Sequence, residues 1–196
     1  MACSGINLKS PNMGYELTPS NSSKKDSLAN RFIVTVKADS VQKASSIGLK
    51  FSINICNKSD RSVTIENPMG LSSFRLLNEK GGNVLYPNGY KAFVHVLPGA
   101  KFPFEAFNVL KIELDGHQKD DKLDEIKEIK IPAHGNYKIF LSVTKSLKSD
   151  AIKPYRIEEA NTLPKGKYFL FPSVFVKQGP EALYFTDVSI PINYGL

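Results

Sequence analysis

Residues 49–57 read LKFSINICN, and their apolar and polar side chains alternate. A period of two is typical of a β-strand that buries one face, because successive side chains point to opposite sides of a sheet. The run RFIVTVKA at residues 31–38 has the same period. Cys56 is out of phase with its run, and we expect a small, half-buried side chain there. The two runs predict strands whose buried faces carry Leu49, Phe51, Ile53 and Ile55, and Phe32, Val34 and Val36.

The rest of the chain continues as short strand-like runs, separated by turns rich in Gly, Pro and Asn, and no helical period extends beyond a turn or two. A Gly81-Gly82 pair between two such runs predicts a hairpin with a positive φ angle. Strands of this spacing favour an all-β fold, an antiparallel β-sandwich of about nine or ten strands. The further runs are SVTIE, FRLLNEKGGNVLY, KAFVHVLPG, FNVLKIEL, EIKEIKI, NYKIFLSV, KYFLFPSVFVK and ALYFTDVSIPIN.

The composition is that of a chain with a sizeable core and a mild excess of positive charge. Its 196 residues are 41% hydrophobic, and 26 Lys and Arg against 19 Asp and Glu give a net charge of +7. This charge mildly favours anionic surroundings such as nucleic acid, phospholipid headgroups or acidic glycans. The lysines are dispersed singly over alternating strand positions, which is typical of a solvated sheet face. We therefore expect no nucleic-acid partner.

The amino terminus predicts a tether rather than part of the fold. Residues 1–30 are rich in Ser, Asn, Lys and Pro, so we interpret them as a flexible polar leader and assign residues 31–196 to one β-sandwich domain. Ala2, Cys3, Ser4 and Gly5 resemble the cleavage end of a bacterial lipoprotein signal, whose cysteine becomes lipidated. Met1 and Ala2 would then replace a removed signal. The alternative is a cytosolic start with an incidental cysteine.

Four segments in chain order resemble turns and strands of the bacterial intracellular proteinase inhibitor domains and of related bacterial lipoproteins. The resemblance extends over about residues 47–192 and implies an immunoglobulin-like sandwich. It also implies either a lipoprotein at the cell envelope or an inhibitor of proteinases. The chain lacks the tryptophan expected between the last two segments. The four segments are LKFSINICN with NKSDRSVTIENP, NEKGGNVLYP, IPAHGNYKIFLSV and LPKGKYFLF.

Residues that carry chemistry form no recognisable catalytic set. His95, His117 and His134 lack metal-ligand spacing, and neither a G-x-S-x-G elbow nor a phosphate-binding loop is present. An acidic group around residues 115–125 could supply oxygen ligands to calcium, but its spacing matches no calcium loop and lysines interrupt it, so we favour a solvated loop. Its members are Asp115, Asp120, Asp121, Asp124 and Glu125. The sequence predicts a protein that is not an enzyme and that has no cofactor and no metal.

Aromatic side chains provide the candidate binding residues. Phe102 and Phe104 lie in a loop-like segment, where they form either a partner surface or a plug at one end of the core. The run KYFLFPSVFVK is apolar on both faces, and its odd-numbered phenylalanines are expected to lie opposite Leu170 and Val174. If these phenylalanines are exposed to solvent, they form a second candidate partner surface. These are Phe169, Phe171 and Phe175.

Tyr168 has a structural interpretation. In immunoglobulin-like sandwiches, a tyrosine near the start of a late strand often bonds its hydroxyl to the backbone a few residues upstream, an arrangement called the tyrosine corner. Pro164 and Gly166 can shape such a turn ahead of Tyr168. We predict a hydrogen bond from the Tyr168 hydroxyl to a main-chain group between about Asn161 and Lys165.

These features together predict a non-catalytic lipoprotein domain of the bacterial envelope. We expect it to be anchored through a lipid on Cys3, in the periplasm or at the outer surface, and to bind an unknown protein or glycan. The alternative is a proteinase inhibitor that inserts the long connection between residues 144 and 161, or the aromatic segment, into a protease cleft. An enzyme with a spatially assembled site has the least support.

Overall fold

A computed structural model describes residues 14–20, 27–84, 107–119, 126–146 and 161–196, and these residues are mostly β. One short helix, α1 (Ser27–Arg31), and a 3-10 turn, Pro68–Gly70, accompany the strands. The strands are β1 (Gly14–Glu16), β2 (Thr18–Pro19), β3 (Phe32–Lys37), β4 (Val41–Gln42), β5 (Leu49–Asn57), β6 (Val63–Glu66), β7 (Ser73–Asn78), β8 (Phe107–Leu114), β9 (His117–Lys119), β10 (Glu128–Ile131), β11 (Asn136–Val143), β12 (Lys145–Ser146), β13 (Asn161–Thr162), β14 (Gly166–Gln178), β15 (Glu181–Thr186) and β16 (Ile190–Tyr194).

The strands form two main sheets. The first has the order β1-β3-β5-β11-β8-β9, and all its pairs are antiparallel. The second has the order β2-β15-β14-β16-β4. Strand β7 also pairs with β14, on the side opposite β16. Its pairs are antiparallel except for the parallel contact of β16 with β4. The predicted all-β, antiparallel character is therefore confirmed.

The long strand β14 organises the second sheet. Its first half lies between β7 and β16, and its second half forms a hairpin with β15. The two-stranded sheet of β6 and β10 lies beside it, because β6 contacts β14 and Lys177 Nζ is 2.6 Å from Glu66 Oε1. The β6–β10 pair therefore extends the layer that β14 dominates.

The core lies between the two sheets. Alternate residues of β3, β5 and β11 are buried together with alternate residues of β14 and β16 in one apolar cluster. The rings of Phe51 in β5 and Phe74 in β7 meet across the two sheets, with centroids 5.4 Å apart. Burial of this continuous apolar surface is the main favourable contribution to folding.

The hairpin predicted at Gly81-Gly82 is present as far as the described residues extend. Gly81 has a φ angle of +78°. Beyond the turn, Asn83 forms a β-bridge with Leu77, and the Val84 amide donates to the Leu76 carbonyl at 2.8 Å. A second tight hairpin joins β8 to β9 through Asp115 and Gly116, which both have positive φ, as a two-residue turn between twisted strands requires.

The predicted tether boundary at residue 30 is too far along the chain. Strands β1 and β2 add to the edges of the two sheets, and α1 ends where β3 begins. Leu17 is 3% exposed and Leu28 is fully buried. Single apolar residues in a polar stretch produce no periodic pattern, so the sequence did not predict these two strands. They are ordered because they pair with the edges of the existing sheets. The other predicted leader residues, 1–13 and 21–26, lie outside the described residues.

Asn57, the last residue of β5, lies where the chain crosses from the first sheet to the second layer. Its side chain is fully buried. The amide nitrogen donates to the carbonyls of Arg61 and Pro132, both at 2.8 Å, and at 3.4 Å to that of Ile131. The amide oxygen accepts from the backbone N–H and the hydroxyl of Ser59, at 3.0 and 2.7 Å.

These bonds tie two crossings together. One crossing runs from β5 to β6 through residues 58–62, and the other runs from β10 to β11 through residues 132–135. The Asn57 backbone amide also donates to the Gly135 carbonyl at 3.0 Å. A buried amide that satisfies several backbone groups is costly to remove, because those groups would lose their partners away from water.

Replacing Asn57 with Ala should therefore destabilise the domain by about 3 kcal/mol, since several buried polar groups become unsatisfied at once. The free energy of unfolding from urea titration measures this. Asn54→Ala is the matched control, because Asn54 lies half-buried on the outer face of the same strand. It should cost less than about 1 kcal/mol. Equal losses in the two variants would contradict the role of Asn57.

Candidate functional site

Tyr168 forms the hydrogen bond that the sequence predicts. Its hydroxyl donates to the carbonyl oxygen of Pro164 at 2.7 Å. Tyr168 is 3% exposed, and its ring belongs to the core between the sheets. Burial, and to a smaller extent the neighbouring Tyr194, raises the pKa of the Tyr168 hydroxyl above its ordinary value of 10.0. The residue fixes the entry of the chain into β14 and has a structural role.

The two faces of β14 divide as the sequence predicts. Leu170 and Val174 are fully buried on the core side. Phe169 and Phe171 point the other way and are half-buried, and Phe175 is 9% exposed. We call Phe169, Phe171 and Phe175 the aromatic row. It lies on the outer face of the second sheet, on the strand at its centre.

Each ring of the aromatic row has a neighbour that covers part of it. The Lys167 ammonium lies 5.5 Å from the centroid of the Phe169 ring, and the Arg75 guanidinium lies 5.3 Å from that of Phe171. Such cation–π contacts contribute about 0.5–1 kcal/mol at exposed sites. Phe175 instead packs against the Tyr184 ring at 4.9 Å, which explains why it is the most buried of the three. Sequence reasoning missed Arg75 because it reaches Phe171 from β7, far away in the chain.

The other candidate residues from the sequence fall elsewhere. Phe102 and Phe104 lie outside the described residues, as does Cys3. All three residues of the aromatic row lie on β14.

A cleft of about 390 Å³ lies at the end of the molecule where α1 meets the polar turn after β5. Arg31 Nη1 donates to Gln178 Oε1 at 2.9 Å and is 3.8 Å from Glu181 Oε2. Arg61 and Asp60, which are both exposed, also line the cleft. Charges of both signs meet here, so the cleft has no strong preference for a cation or an anion.

The described histidines lie at the surface. His117 is exposed in β9. His134 has a φ angle of +54° in the turn before β11, and its Nε2 is 2.9 Å from Asp60 Oδ1. Asp115 occupies a hairpin turn, while the other acidic residues considered for calcium, at 120–125, and His95 lie outside the described residues. Among the described residues, no group of three or more His, Cys, Asp or Glu could hold a metal ion.

Cys56 differs from its sequence interpretation. It is on the outer side of β5, as its phase predicts, but it is 4% exposed rather than half-buried, and it is disulfide-bonded. The chain contains one other cysteine, Cys3, so a bond within the chain would have to use that residue.

Comparisons with known proteins add no family. No protein-family model matches the chain, and no curated protein is significantly similar to it. Within the described residues, none of the helices has the length and apolar character needed to cross a membrane.

Tyr168→Phe should lower the free energy of unfolding by about 1 kcal/mol, because it removes one well-formed hydrogen bond and keeps the ring. Tyr184→Phe, at a half-buried position on the outer face, is the control and should change it by less than about 0.5 kcal/mol. Urea unfolding at neutral pH compares the two. A loss no greater than the control's would mean that the bond to Pro164 contributes nothing.

The stability difference between wild type and Tyr168→Phe should also depend on pH. Because the folded state raises the pKa of Tyr168, it holds this proton more tightly than the unfolded chain does. The resulting stability is present below pH 10.0, the ordinary value, and is lost as the pH rises through the raised pKa of the folded state. The stability difference between wild type and Tyr168→Phe should therefore shrink above pH 10.0. A difference that grows with pH would contradict the direction of the shift.

Proposed function

We propose that this chain is a non-catalytic binding domain of the bacterial cell envelope that contacts a protein or glycan partner through the aromatic row. The observation that carries the proposal is the pair of half-buried rings, Phe169 and Phe171, on the outer face of the second sheet. Aromatic side chains contribute strongly to binding because they bury a large area with few rotatable bonds.

An immunoglobulin-like sandwich is the fold we propose for this domain. Two features support it: two largely antiparallel sheets share one core, and Tyr168 bonds to the backbone four residues upstream. The resemblance of the turns to bacterial proteinase inhibitor domains favours the same fold. In such sandwiches the sheets form a rigid support, and binding takes place on loops or on an exposed sheet face.

The chemistry around the rings favours a partner that is both apolar and acidic. Arg75 and Lys167 place positive charges beside Phe171 and Phe169. A partner carboxylate could pair with either cation while an apolar group covers the adjacent ring. Glycans that carry carboxylates and acidic protein segments both have this combination.

The disulfide on Cys56 supports an envelope location. Disulfides form and persist in oxidising compartments such as the periplasm and the cell surface, and Cys56 is disulfide-bonded. A lipid on Cys3 would anchor the domain to a membrane. One sulfur cannot carry both a thioether-linked lipid and a disulfide, so the lipidated form requires Cys56 to be reduced or paired with another molecule.

Replacing both Phe169 and Phe171 with Ala should weaken retention of the partner at least tenfold, since each ring contributes area at the contact centre. The unlipidated full-length protein is immobilised and probed separately with purified peptidoglycan and with solubilised envelope proteins. The control is Val109→Ala with Leu110→Ala, which removes two exposed apolar side chains of the first sheet. Thermal unfolding verifies that both variants fold. Equal retention by both variants would reject the aromatic row as the binding surface.

Lipidation is tested by expressing the native gene, with its own upstream sequence, in the presence of labelled fatty acid. We expect label on the wild type and none on Cys3→Ser, while Cys56→Ser keeps the label. Intact mass measured with and without reductant shows whether Cys56 is bonded within the chain. A wild type without label, and with an intrachain disulfide, would reject the lipid anchor and leave the binding proposal in place.

A proteinase inhibitor remains the alternative function. The two segments that would enter a protease cleft lie largely outside the described residues. Dose-dependent inhibition of serine proteases by the intact protein would favour this alternative, and rapid cleavage without inhibition would reject it.

A further inference from the structure

Four lysines of the first sheet project from the same outer face. In the strand register, Lys37 of β3 is opposite Ser52, Ser52 is opposite Phe140 of β11, and Phe140 is opposite Lys111 of β8. Residues opposite each other on neighbouring strands point to the same side of a sheet. Lys50 and Lys138 lie one row to either side, at positions two residues from this row. We call Lys37, Lys50, Lys111 and Lys138 the lysine face.

Phe140 brings two of these charges together. The ammonium groups of Lys111 and Lys138 lie 4.2 and 4.5 Å from the centroid of its ring. Cation–π attraction holds both groups over the same ring despite their mutual repulsion. Glu113 is the nearby counterion, at 2.6 Å from Lys111 Nζ.

The charge of the lysine face is only partly compensated. Among the described residues of this outer face, the two acidic side chains Glu16 and Glu113 offset two of the four lysine charges, which leaves a net charge of +2. Burial lowers the pKa of Lys138, Glu113 opposes that effect, and Lys37 and Lys111 lower the pKa further. An anionic group placed above these lysines would relieve their repulsion.

The lysine face extends across four neighbouring strands of the first sheet. In the sheet order, β3, β5, β11 and β8 are successive neighbours. Lys37 on β3 and Lys111 on β8 are therefore separated by three strand spacings, about 14 Å. A pocket encloses a small anion, whereas positive charges spaced across one sheet face match an extended anionic surface.

The chain also enters the sheet beside this face. Gly14, the first residue of β1, is paired with Lys37. The eleven residues from Ser4 to Gly14 can span at most about 40 Å when fully extended. A lipid on Cys3 would thus keep the lysine face within that distance of the bilayer.

We propose that the lysine face docks on the surface of a bilayer that contains anionic phospholipids. The proposal rests on the proposed envelope location, but not on the partner that binds the aromatic row. With the first sheet against the lipid headgroups, the second sheet and its aromatic row face away from the membrane. The two outer faces then have separate roles, one towards lipid and one towards the partner.

The test uses the unlipidated full-length protein and flotation with vesicles. We expect binding to phosphatidylcholine vesicles that contain phosphatidylglycerol, and none to phosphatidylcholine alone. Each lysine near an anionic surface contributes about a five-fold increase in affinity, so Lys37→Gln with Lys111→Gln should weaken binding about 25-fold. High salt should abolish the binding, because exposed charges are screened.

The matched control removes two exposed lysines from the second layer, Lys80→Gln with Lys130→Gln. This variant has the same net charge and should bind within about twofold of wild type. Equal weakening in both variants would overturn the proposal, because net charge alone would then explain binding. Equal binding to both kinds of vesicle would also overturn it.

A double-stranded DNA fragment provides a further comparison. If it bound as tightly as the anionic vesicles and lost the same factor in Lys37→Gln with Lys111→Gln, the face would bind polyanions in general and the lipid assignment would be wrong. None of these results depends on the aromatic row or on Cys3. Failure of vesicle binding and failure of partner binding are therefore distinguishable.

Discussion

The buried amide of Asn57 is the constraint on which the arrangement of the two layers depends. Strands β5 and β11 are paired in the first sheet, and the strands that adjoin them in the chain, β6 and β10, are paired in the second layer. Both connections therefore cross the edge of the core at the same place. Their part-buried backbone groups need partners, which Asn57 provides for Arg61, Pro132 and Ser59.

Asparagine is suited to this position because its side chain both donates and accepts. A carboxylate could not donate to the two carbonyls, and an apolar residue would satisfy none of these groups. Two other asparagines that follow or end strands act similarly. Asn67 accepts from the Met69 amide and donates to the Ile126 carbonyl, and Asn78 accepts from the amides of Lys80 and Gly82. At the ends of these strands, backbone groups are thus satisfied by asparagine side chains as well as by backbone hydrogen bonds.

The hydrogen bonds of Asn57 hold the two layers together at both crossings. With the two layers fixed, both outer sheet faces become stable surfaces whose side chains are set by strand register. One carries the aromatic row with its two cations, and the other carries the lysine face around Phe140. Because their chemistry differs, the two faces suit the two different partners that we propose.

Strand period accounts for the parts of the fold that the sequence predicts. Alternation located β3, β5 and β11, and it assigned Phe169 and Phe171 to the outer side of β14. The turn before Tyr168 predicted its hydrogen bond. Alternation says nothing about neighbours that are distant in the chain, so the positions of Arg75 over Phe171 and of Lys111 over Phe140 were missed. It also missed β1 and β2, whose few residues are ordered by the strand edges they join.

Hydrogen exchange in the turn after β5 tests the central role of Asn57 most directly. Lys58 is exposed, yet its amide donates to the Arg31 carbonyl at 2.7 Å, and the Ser59 amide donates to Asn57 Oδ1 at 3.0 Å. If Asn57 locks the crossing, these two amides should exchange as slowly as the core amides of β5, because they would open only with the whole domain. Exchange at the rate of an unprotected surface turn would contradict this role of Asn57.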